Sequence, residues 1–299
     1  MFSIKKDKQR TVIEILDTVP WQAWPQHVFS QSKVRLHELW SYRELVHNLV
    51  IRDLKVRYKN SALGVLWSLL NPLMMMLVFT AVFTVMQGAP VEKFPVFVLV
   101  GLLPWQFFAD SVSGGTASIV GNSHLINKVY FPREILTISG VLSNLVNFLL
   151  ALLMLIPILY LFNIPLTAWA LLLPLMILIQ LMFTLGVSLI VATANVFYRD
   201  VHMIISVALL AGFFLTPVFY PLSQLPESYM LFGVELNVWR LMYYLNPMAS
   251  IIENYRRILF YGSPHALNFI FRTFITSLGF LVIGLIVFYR YHNRFGEEI

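Results

Sequence analysis

The stretch VIRDLKVRYKNSALGVLWSLLNP, residues 50–72, changes from strongly basic to strongly apolar within a few positions. Its first half holds four cationic side chains between Arg52 and Lys59, and its second half opens a long apolar run. In proteins that cross a membrane, basic residues collect on the cytoplasmic side, close to the ends of the spans. The stretch therefore predicts an integral membrane protein whose first span begins soon after residue 60.

The composition of the whole chain supports this class. Of its 299 residues, 58% are hydrophobic and 12% are charged, whereas soluble domains are about 25% charged. The net charge of +6 is interpreted as a sign of topology and not of nucleic-acid binding, because cytoplasmic segments are rich in Lys and Arg. The absence of cysteine excludes disulfides, thiol catalysis and cysteine metal sites.

Six apolar stretches are long enough to cross a bilayer, which takes about 20 residues. They are residues 63–87, 94–118, 133–162, 167–195, 202–221 and 266–290. Eleven of the 21 Lys and Arg residues fall in residues 1–60, and five of the other ten follow the second, fourth and sixth stretches. We therefore expect an all-α protein with six transmembrane helices and both termini in the cytoplasm.

Residues 39–59 have the period of an amphipathic helix. Its apolar stripe is Leu39, Tyr42, Val46, Leu49, Val50 and Leu54, and its polar stripe is Ser41, Glu44, Asn48, Arg52, Lys55 and Lys59. A basic amphipathic helix of this kind lies in the membrane interface. Two interpretations stay open: a topology anchor that contacts lipid headgroups, or a helix that also contacts a cytoplasmic partner.

Several local features interrupt the apolar pattern. The pair Asn71-Pro72 suits a helix start, but a kinked span from about residue 63 is preferred because it is long enough to cross. Pro104 and Asp110 lie in the second stretch, and an ionisable group there is expected to face protein, a water-filled cavity or the cytoplasmic interface. Residues 121–134 are too apolar for a free loop, so they contact either headgroups or a partner. Residues 221–265 predict short helices that dip into the membrane, one of which starts at Asn246-Pro247.

Several kinds of chemistry are missing from the sequence. It has no close pair of carboxylates for metal-assisted catalysis, no histidine cluster for a metal and no Gly-Lys pair of a P-loop. Ionisable residues of the kind that an ion-coupled carrier needs are sparse in the third to sixth stretches. We therefore expect a transport protein with no catalytic or metal site and no cofactor of its own.

Five motifs in order resemble the ABC-2 type permeases. They are RDLKVRYKNSALGVLWSLLNP (52–72), GLLPWQFF (101–108), NKVYFPREI (127–135), NVFYRDV (195–201) and TPVFYP (216–221). Within that group the chain is most similar to bacterial exporters of lipid-linked polysaccharide such as O-antigen, capsule or teichoic acid. The resemblance covers residues 37–295 and leaves residues 1–36 without a family interpretation.

The resemblance implies a homodimer in the bacterial inner membrane, bound to two copies of a separate ATPase subunit that holds ATP and Mg. It implies three parts: an N-terminal cytoplasmic segment (1–36), an amphipathic cytoplasmic gate helix (37–61) and a six-span transmembrane domain (62–299) with two short re-entrant helices between spans five and six. Segment 121–131 would be the coupling helix that docks on the ATPase. The predicted gate and coupling residues are Arg52, Lys55, Lys59, His124, Asn127, Lys128 and Tyr130. Besides polysaccharide, membrane lipids are expected partners and nucleic acid is not.

A glycan needs an enclosed path, because unpaired hydroxyl groups in hydrocarbon are costly. Aromatic faces offer apolar contact without fixed hydrogen-bond demands, although most Phe residues in such a chain face lipid. The predicted path residues are Phe79, Phe83, Trp105, Phe107, Phe108, Phe219 and Tyr220, with Phe213 and Phe214 in the same clusters. Two alternatives stay open: an ABC-2 permease for a small drug or lipid, and a stand-alone channel or carrier.

Overall fold

The computed structural model describes residues 40–59, 61, 64–87, 91–128, 131–224, 229–231, 234–237, 242, 246–264 and 267–298. The chain divides into two compact units, Met1–Leu45 and Val46–Ile299. In the first unit the described residues are 40–45, and helix α1, Arg43–Tyr58, begins there. The predicted N-terminal segment 1–36 lies outside the described residues.

The second unit is mainly helical. Its helices after α1 are α2 (Trp67–Gln87), α3 (Phe94–Ser118), α4 (Ser123–Lys128), α5 (Glu134–Leu161), α6 (Leu173–Phe197), α7 (Val201–Leu215), α8 (Pro247–Leu259), α9 (Leu267–Tyr291) and α10 (Phe295–Glu298). Short 3₁₀ helices cover Gly64–Leu66, Val120–Asn122, Ala168–Leu172, Leu222–Gln224 and His292–Arg294. Strands β1 (Tyr229–Leu231) and β2 (Val234–Leu236) form an antiparallel hairpin in which Met230 pairs with Glu235.

Helix α3 is the central element of this unit. Every residue from 96 to 105 is buried, and the helix packs against α2, α5, α6, α7 and α8. A helix that is apolar on all sides is stable only when neighbouring helices surround it. Each of these five neighbouring helices therefore packs against side chains of α3.

Helices α6 and α9 cross at two glycines. A Cβ atom on Gly284 would lie 2.4 Å from the Gly186 carbonyl oxygen, and one on Gly186 would lie 2.4 Å from the Phe280 backbone. Such separations are shorter than any real contact, so only glycine allows this crossing. Small residues at helix crossings are typical of membrane domains, where close packing drives helix association.

Buried polar side chains join the helices at several levels. The Gln180 amide donates to the Pro104 carbonyl over 2.7 Å, and the Asn195 amide donates to the Thr116 carbonyl over 2.9 Å. The hydroxyls of Ser118 and Thr137 lie 2.8 Å apart. In an apolar surround these bonds fix the rotation of α6 and α5 against α3.

Among the described residues, four helical stretches are long and apolar enough to cross a membrane: Phe94–Ser118, Glu134–Leu161, Ala168–Phe197 and Leu267–Arg294. They coincide with the predicted second, third, fourth and sixth spans. The predicted first and fifth spans contain shorter apolar helices, Leu70–Val85 and Val201–Leu215.

Two helices are shorter than the stretches that were predicted to cross. The fifth stretch was expected to continue to residue 221, but α7 ends at Leu215 because the backbone of Thr216 is extended and Pro217 has no N–H group to continue the helix. Helix α2 starts at Trp67 and not at residue 63, after the 3₁₀ helix Gly64–Leu66. It continues through Asn71-Pro72, as the preferred interpretation of this pair required, and its crossing of the membrane stays a prediction.

The segment 221–265 contains α8 and the β1–β2 hairpin. Helix α8 starts as predicted: Asn246 is its N-cap, with its side chain accepting from the Ala249 N–H group, and Pro247 is in the first turn. The hairpin, with two strands of three residues each, is a short exception to the all-α prediction, which the mainly helical fold otherwise bears out. Residues 225–228, 238–241 and 243–245 are outside the described part, so the second short helix stays a prediction.

Candidate functional site

A polar cavity of about 470 Å³ lies between the end of α1, the start of α2 and the middle of α3 and α5. Its polar lining residues are Arg57, Tyr58, Ser68, Asn71, Gln106, Asp110, Ser113, Asn144 and Asn147. Its aromatic lining residues are Trp67, Phe107 and Phe148. Both α3 and α5 are long and apolar enough to span a membrane, so this concentration of polar groups between them is unusual.

The spacing of the polar residues explains how they meet. On α3, Gln106, Asp110 and Ser113 are four and three positions apart and so share one helix face. On α5, Asn144 and Asn147 are three positions apart. Polar groups within membrane helices are costly unless they face protein or water. In this structure the polar faces of α3 and α5 both point into the cavity.

Two hydrogen bonds tie the end of α1 to α5. The Arg57 guanidinium donates to the Asn144 side-chain oxygen over 2.7 Å. The Tyr58 hydroxyl donates to the Asn147 side-chain oxygen over 2.6 Å. Asn147 is 8% exposed, and its side-chain nitrogen has no hydrogen-bond partner among the described residues. The second polar atom of this amide is therefore buried beside the cavity without a partner among the described residues.

The charges of the cavity balance. Arg57 contributes a cation and Asp110 contributes a carboxylate, and the remaining polar lining groups are amides and hydroxyls. Amides and hydroxyls both donate and accept hydrogen bonds, while Trp67, Phe107 and Phe148 provide flat apolar faces. This mixture suits a neutral, hydroxyl-rich group better than a compact ion.

A second feature is an aromatic cluster formed by Phe79, Phe83, Phe94, Trp105, Phe108, Phe213, Phe214, Phe219 and Tyr220. Its centre is Phe219, whose ring stacks on Phe79 at 5.2 Å and lies 5.3 Å from Phe83. Phe213 joins the two halves, at 5.7 Å from Phe79 and 5.9 Å from Trp105. The cluster therefore lies between α2, α3 and α7, and two of these helices also line the polar cavity.

Tyr220 closes the cluster at the end of α7. Its hydroxyl donates to the Leu215 carbonyl over 2.9 Å, which satisfies one of the last acceptors of the helix. Burial raises the pKa of Tyr220, and the nearby Arg256 cation partly offsets this. The phenol is therefore protonated at neutral pH, and its one proton is donated to the end of α7.

The structure brings six of the seven predicted path residues into the aromatic cluster. Phe107 is separate: it stacks on Phe148 at 5.1 Å and lines the polar cavity, with 3% of its surface exposed. Trp105 and Phe108 are also buried within the chain, and Phe108 stacks on Phe183. Whether any of the seven contacts cargo stays a prediction.

Of the predicted gate and coupling residues, Arg52, Lys55, Lys59, His124 and Lys128 do not line the polar cavity. Arg52 pairs with the adjacent Asp53 at 2.8 Å, and Lys55 and Lys59 are exposed on α1. His124 and Lys128 are exposed on α4, which also contains Asn127. Tyr130 lies outside the described residues. Their predicted roles stay predictions.

Sequence reasoning missed most of the polar cavity. Asp110 was singled out, but Arg57, Tyr58, Asn144 and Asn147 were not assigned to a site. A signal existed on α5, since two asparagines three positions apart in an apolar helix of 28 residues indicate a shared polar face. The described part of the chain contains no group of His, Cys, Asp or Glu side chains that could hold a metal ion.

Comparisons with known proteins agree on one kind of relative. The family model of the ABC-2 type transporter matches residues 44–260. The chain is 41% identical over 229 residues to the O-antigen export system permease protein RfbA of Myxococcus xanthus, covering 75% of this chain and 84% of that protein. It is 32% identical over 247 residues to RfbA of Klebsiella pneumoniae, covering 82% and 91%. It is 22% identical over 229 residues to the polysialic acid transport protein KpsM of Escherichia coli, covering 73% and 81%.

Proposed function

Because the chain belongs to the ABC-2 type transporter family, we propose that it is the membrane-spanning permease subunit of an ATP-driven exporter of lipid-linked polysaccharide. The observation that carries the proposal is the polar cavity of about 470 Å³ between helices that are apolar enough to cross a membrane. The relatives are named for O-antigen export and polysialic acid transport, and these names support a polysaccharide as cargo.

The proposed topology has six crossings, with both termini on the cytoplasmic face of the bacterial inner membrane. Helices α2 and α7 supply the first and fifth crossings. Their apolar parts, Leu70–Val85 and Val201–Leu215, are 16 and 15 residues long, so the bilayer must thin there or flanking residues must reach the interface. The distribution of Lys and Arg supports this orientation.

The proposed assembly is a homodimer with two copies of a separate ATPase that binds ATP and Mg. The surface of α7 supports a second copy: Phe213 is its one buried side chain among the described residues, while Met203, Ile204, Val207, Leu210 and Phe214 are exposed. Such a face needs either lipid or protein to cover it. Helix α4, with His124 and Lys128 exposed, would dock on the ATPase, and the basic face of α1 would contact anionic lipid.

The proposed path uses both features of the site. The polar cavity would hold a sugar unit through the amides of Asn144 and Asn147 and the faces of Phe107 and Phe148. The aromatic cluster would then line the route toward the opposite membrane face. In this assignment, the α2 and α3 helices guide the glycan along their length.

A second candidate has one observation in its favour. Pockets for drug-sized ligands have volumes of about 300–1,000 Å³, and the cavity of about 470 Å³ falls within that range. An ABC-2 permease for a small drug or lipid would use the same topology. The two functions differ in what the cell loses: surface polysaccharide in one case and drug resistance in the other.

The test combines deletion with a cavity variant. In cells without this protein, we expect lipid-linked glycan, measured by mass spectrometry, to accumulate and surface polysaccharide to disappear. Asn147→Leu removes the side-chain amide and its Tyr58 contact, so we expect it to restore at most about a tenth of export, since a hydrogen bond of about 1.4 kcal/mol corresponds to a factor of ten. Leu153→Ala on the exposed side of α5 is the matched control and should export normally.

Two outcomes would contradict the proposal. If the deletion strain keeps parental levels of both surface polysaccharide and lipid-linked glycan, polysaccharide export is excluded as the function. Normal export by Asn147→Leu, at normal membrane abundance, would exclude the polar cavity from the path.

A further inference from the structure

Helix α8 carries two adjacent arginines with opposite surroundings. Arg256 is fully buried, with 0% of its surface exposed, whereas 40% of the Arg257 side chain is exposed, beside Glu253. A buried guanidinium must have its donors satisfied, because an unpaired buried charge is strongly destabilising. The partners of Arg256 therefore indicate what the residue does.

All the hydrogen bonds that the Arg256 guanidinium makes among the described residues go to one turn, the residues Thr216–Pro221 that follow α7, while its Nε has no partner among them. The guanidinium donates to the carbonyl oxygens of Pro217 over 2.5 Å, of Val218, and of Tyr220 over 3.4 Å. It also lies over the face of the Phe97 ring, 3.7 Å away on α3. The planar fork of arginine can reach several carbonyls and stack on a ring at once, which lysine cannot do.

The opposite end of α8 holds the same turn. The Asn246 side chain caps the helix and also donates to the Thr216 hydroxyl over 2.9 Å. Ten residues separate Asn246 from Arg256, which is about 15 Å along a helix. Helix α8 therefore anchors the turn at two places: Asn246 holds the start of the turn, and Arg256 holds its middle.

The turn carries the centre of the aromatic cluster. Phe219 stacks on Phe79, and Tyr220 lies beside Phe219 at 5.2 Å. Helix α8 thus holds the backbone of the turn on one side, while the rings of α2 receive its side chains on the other. The positions of these two rings depend on the carbonyls that Arg256 binds.

The sequence leaves room for this arrangement at Gly101 on α3. A Cβ atom there would lie 2.6 Å from the Arg256 guanidinium and 2.7 Å from the Val218 carbonyl oxygen. Only glycine at this place lets α3, the guanidinium and the turn meet.

We propose that Arg256 is a positioning residue that fixes Phe219 and Tyr220 in the aromatic cluster through the carbonyls of the turn, and so sets how the cluster contacts cargo. The inference rests on the proposed function, because it assumes that the cluster lines the export path. Arg256 itself touches no cargo in this account. Replacing it changes the cluster through the backbone of Thr216–Pro221.

The test uses a cysteine reporter, since the chain has no cysteine of its own. Val218 is 0% exposed, so Val218→Cys in purified protein should react slowly with a water-soluble thiol reagent. Adding Arg256→Met should raise the labelling rate about tenfold or more, because charge-assisted hydrogen bonds that hold the turn are lost. Arg256→Lys should give an intermediate rate, and Arg257→Met, the matched control, should leave it unchanged.

A second reporter separates local release from general unfolding. Ser277 on α9 is also 0% exposed, so Ser277→Cys should stay unreactive in the Arg256 variants. If Arg256→Met does not accumulate, Thr216→Val removes the other anchor and should raise labelling of Val218→Cys by a smaller factor. Export of polysaccharide in cells should fall with Arg256→Met and persist with Arg257→Met.

Equal labelling of Val218→Cys in the Arg256, Thr216 and Arg257 variants would overturn the inference, whatever the export result. Labelling that rises only together with that of Ser277→Cys would also overturn it. Labelling is measured without cargo. Faster labelling of Val218→Cys in the Arg256→Met variant, together with no polysaccharide export by the protein that keeps Arg256, would therefore support the positioning role and contradict the proposed function.

Discussion

At the scale of single residues, the positions that decide the packing are those with no side chain. Gly101 lies on the buried face of α3, in van der Waals reach of both Arg256 and the Val218 backbone. The neighbouring sequence explains why a larger residue is not accommodated: α3 is buried on all sides from residue 96 to 105, so the helix cannot shift away.

We predict that Gly101→Ala lowers the free energy of unfolding by about 1–3 kcal/mol, the usual effect of overpacking a core. The added Cβ would lie 2.7 Å from a backbone oxygen, which cannot rotate away as a side chain does. Thermal unfolding of the purified protein, followed by tryptophan fluorescence, measures the change.

The control for this variant is Gly140→Ala on α5, where an added Cβ meets nothing within 4 Å. It should leave the transition unchanged or raise it slightly, since alanine favours a helix over glycine by about 1 kcal/mol. Equal transitions for Gly101→Ala and the parent would mean that the contact around Arg256 is looser than described.

What the sequence revealed at this scale depended on the kind of residue. Asp110 was found because a carboxylate in an apolar stretch is conspicuous. Arg57 was counted only as one basic residue among several, and Arg256 was not singled out. Whether an arginine faces lipid headgroups or binds carbonyls in the core depends on tertiary contacts such as those of Pro217 and Val218, which no local pattern records.

At the scale of elements, the crossing of α6 and α9 is the tightest contact between two predicted spans. Gly186 and Gly284 bring the backbones together, and Phe280 packs edge-on against Phe183 at 5.0 Å. Without a hydrophobic driving force inside the bilayer, such close packing supplies much of the attraction between helices.

We predict that Gly284→Ala separates α6 from α9 and reduces the amount of monodisperse protein that survives mild heating, measured by size-exclusion chromatography. The added Cβ would lie 2.4 Å from the Gly186 carbonyl oxygen, so the helices must move apart and lose dispersion contacts. Gly279→Ala on the same helix, where the space is open, should behave as the parent does. A Gly284→Ala protein as heat-stable as Gly279→Ala would show that the crossing is not needed for stability.

The elements themselves were largely predictable. The second stretch, 94–118, was placed at the bounds that α3 has, because a long apolar run signals a span whatever its tertiary contacts. The fifth stretch was extended too far, because TPVFYP is apolar enough to continue a hydrophobic run although Pro217 ends the helix. The β1–β2 hairpin was missed because its apolar residues were interpreted as part of a membrane-dipping helix.

At the scale of the whole molecule, the chain is a mainly helical membrane protein that belongs to the ABC-2 type transporter family. The cavity has polar walls in an apolar domain. The aromatic cluster lies between α2, α3 and α7, and the first two of these helices also line the cavity. These features make sense together as parts of a route for a large polar molecule. The route, the second copy and the ATPase are the parts that the proposal adds.

The most direct measurement is transport by the purified complex. The permease is coexpressed with an ATPase subunit of its own organism, purified, and reconstituted into lipid vesicles with lipid-linked polysaccharide. Accessibility of the glycan to a glycosidase that cannot cross the membrane is then followed after ATP is added. The account predicts ATP-dependent movement of the polysaccharide to the opposite face, abolished by an ATPase variant that cannot hydrolyse ATP. One result would contradict the proposed export of polysaccharide: the ATPase copurifies, and the vesicles move a small drug or lipid but show no ATP-dependent movement of polysaccharide.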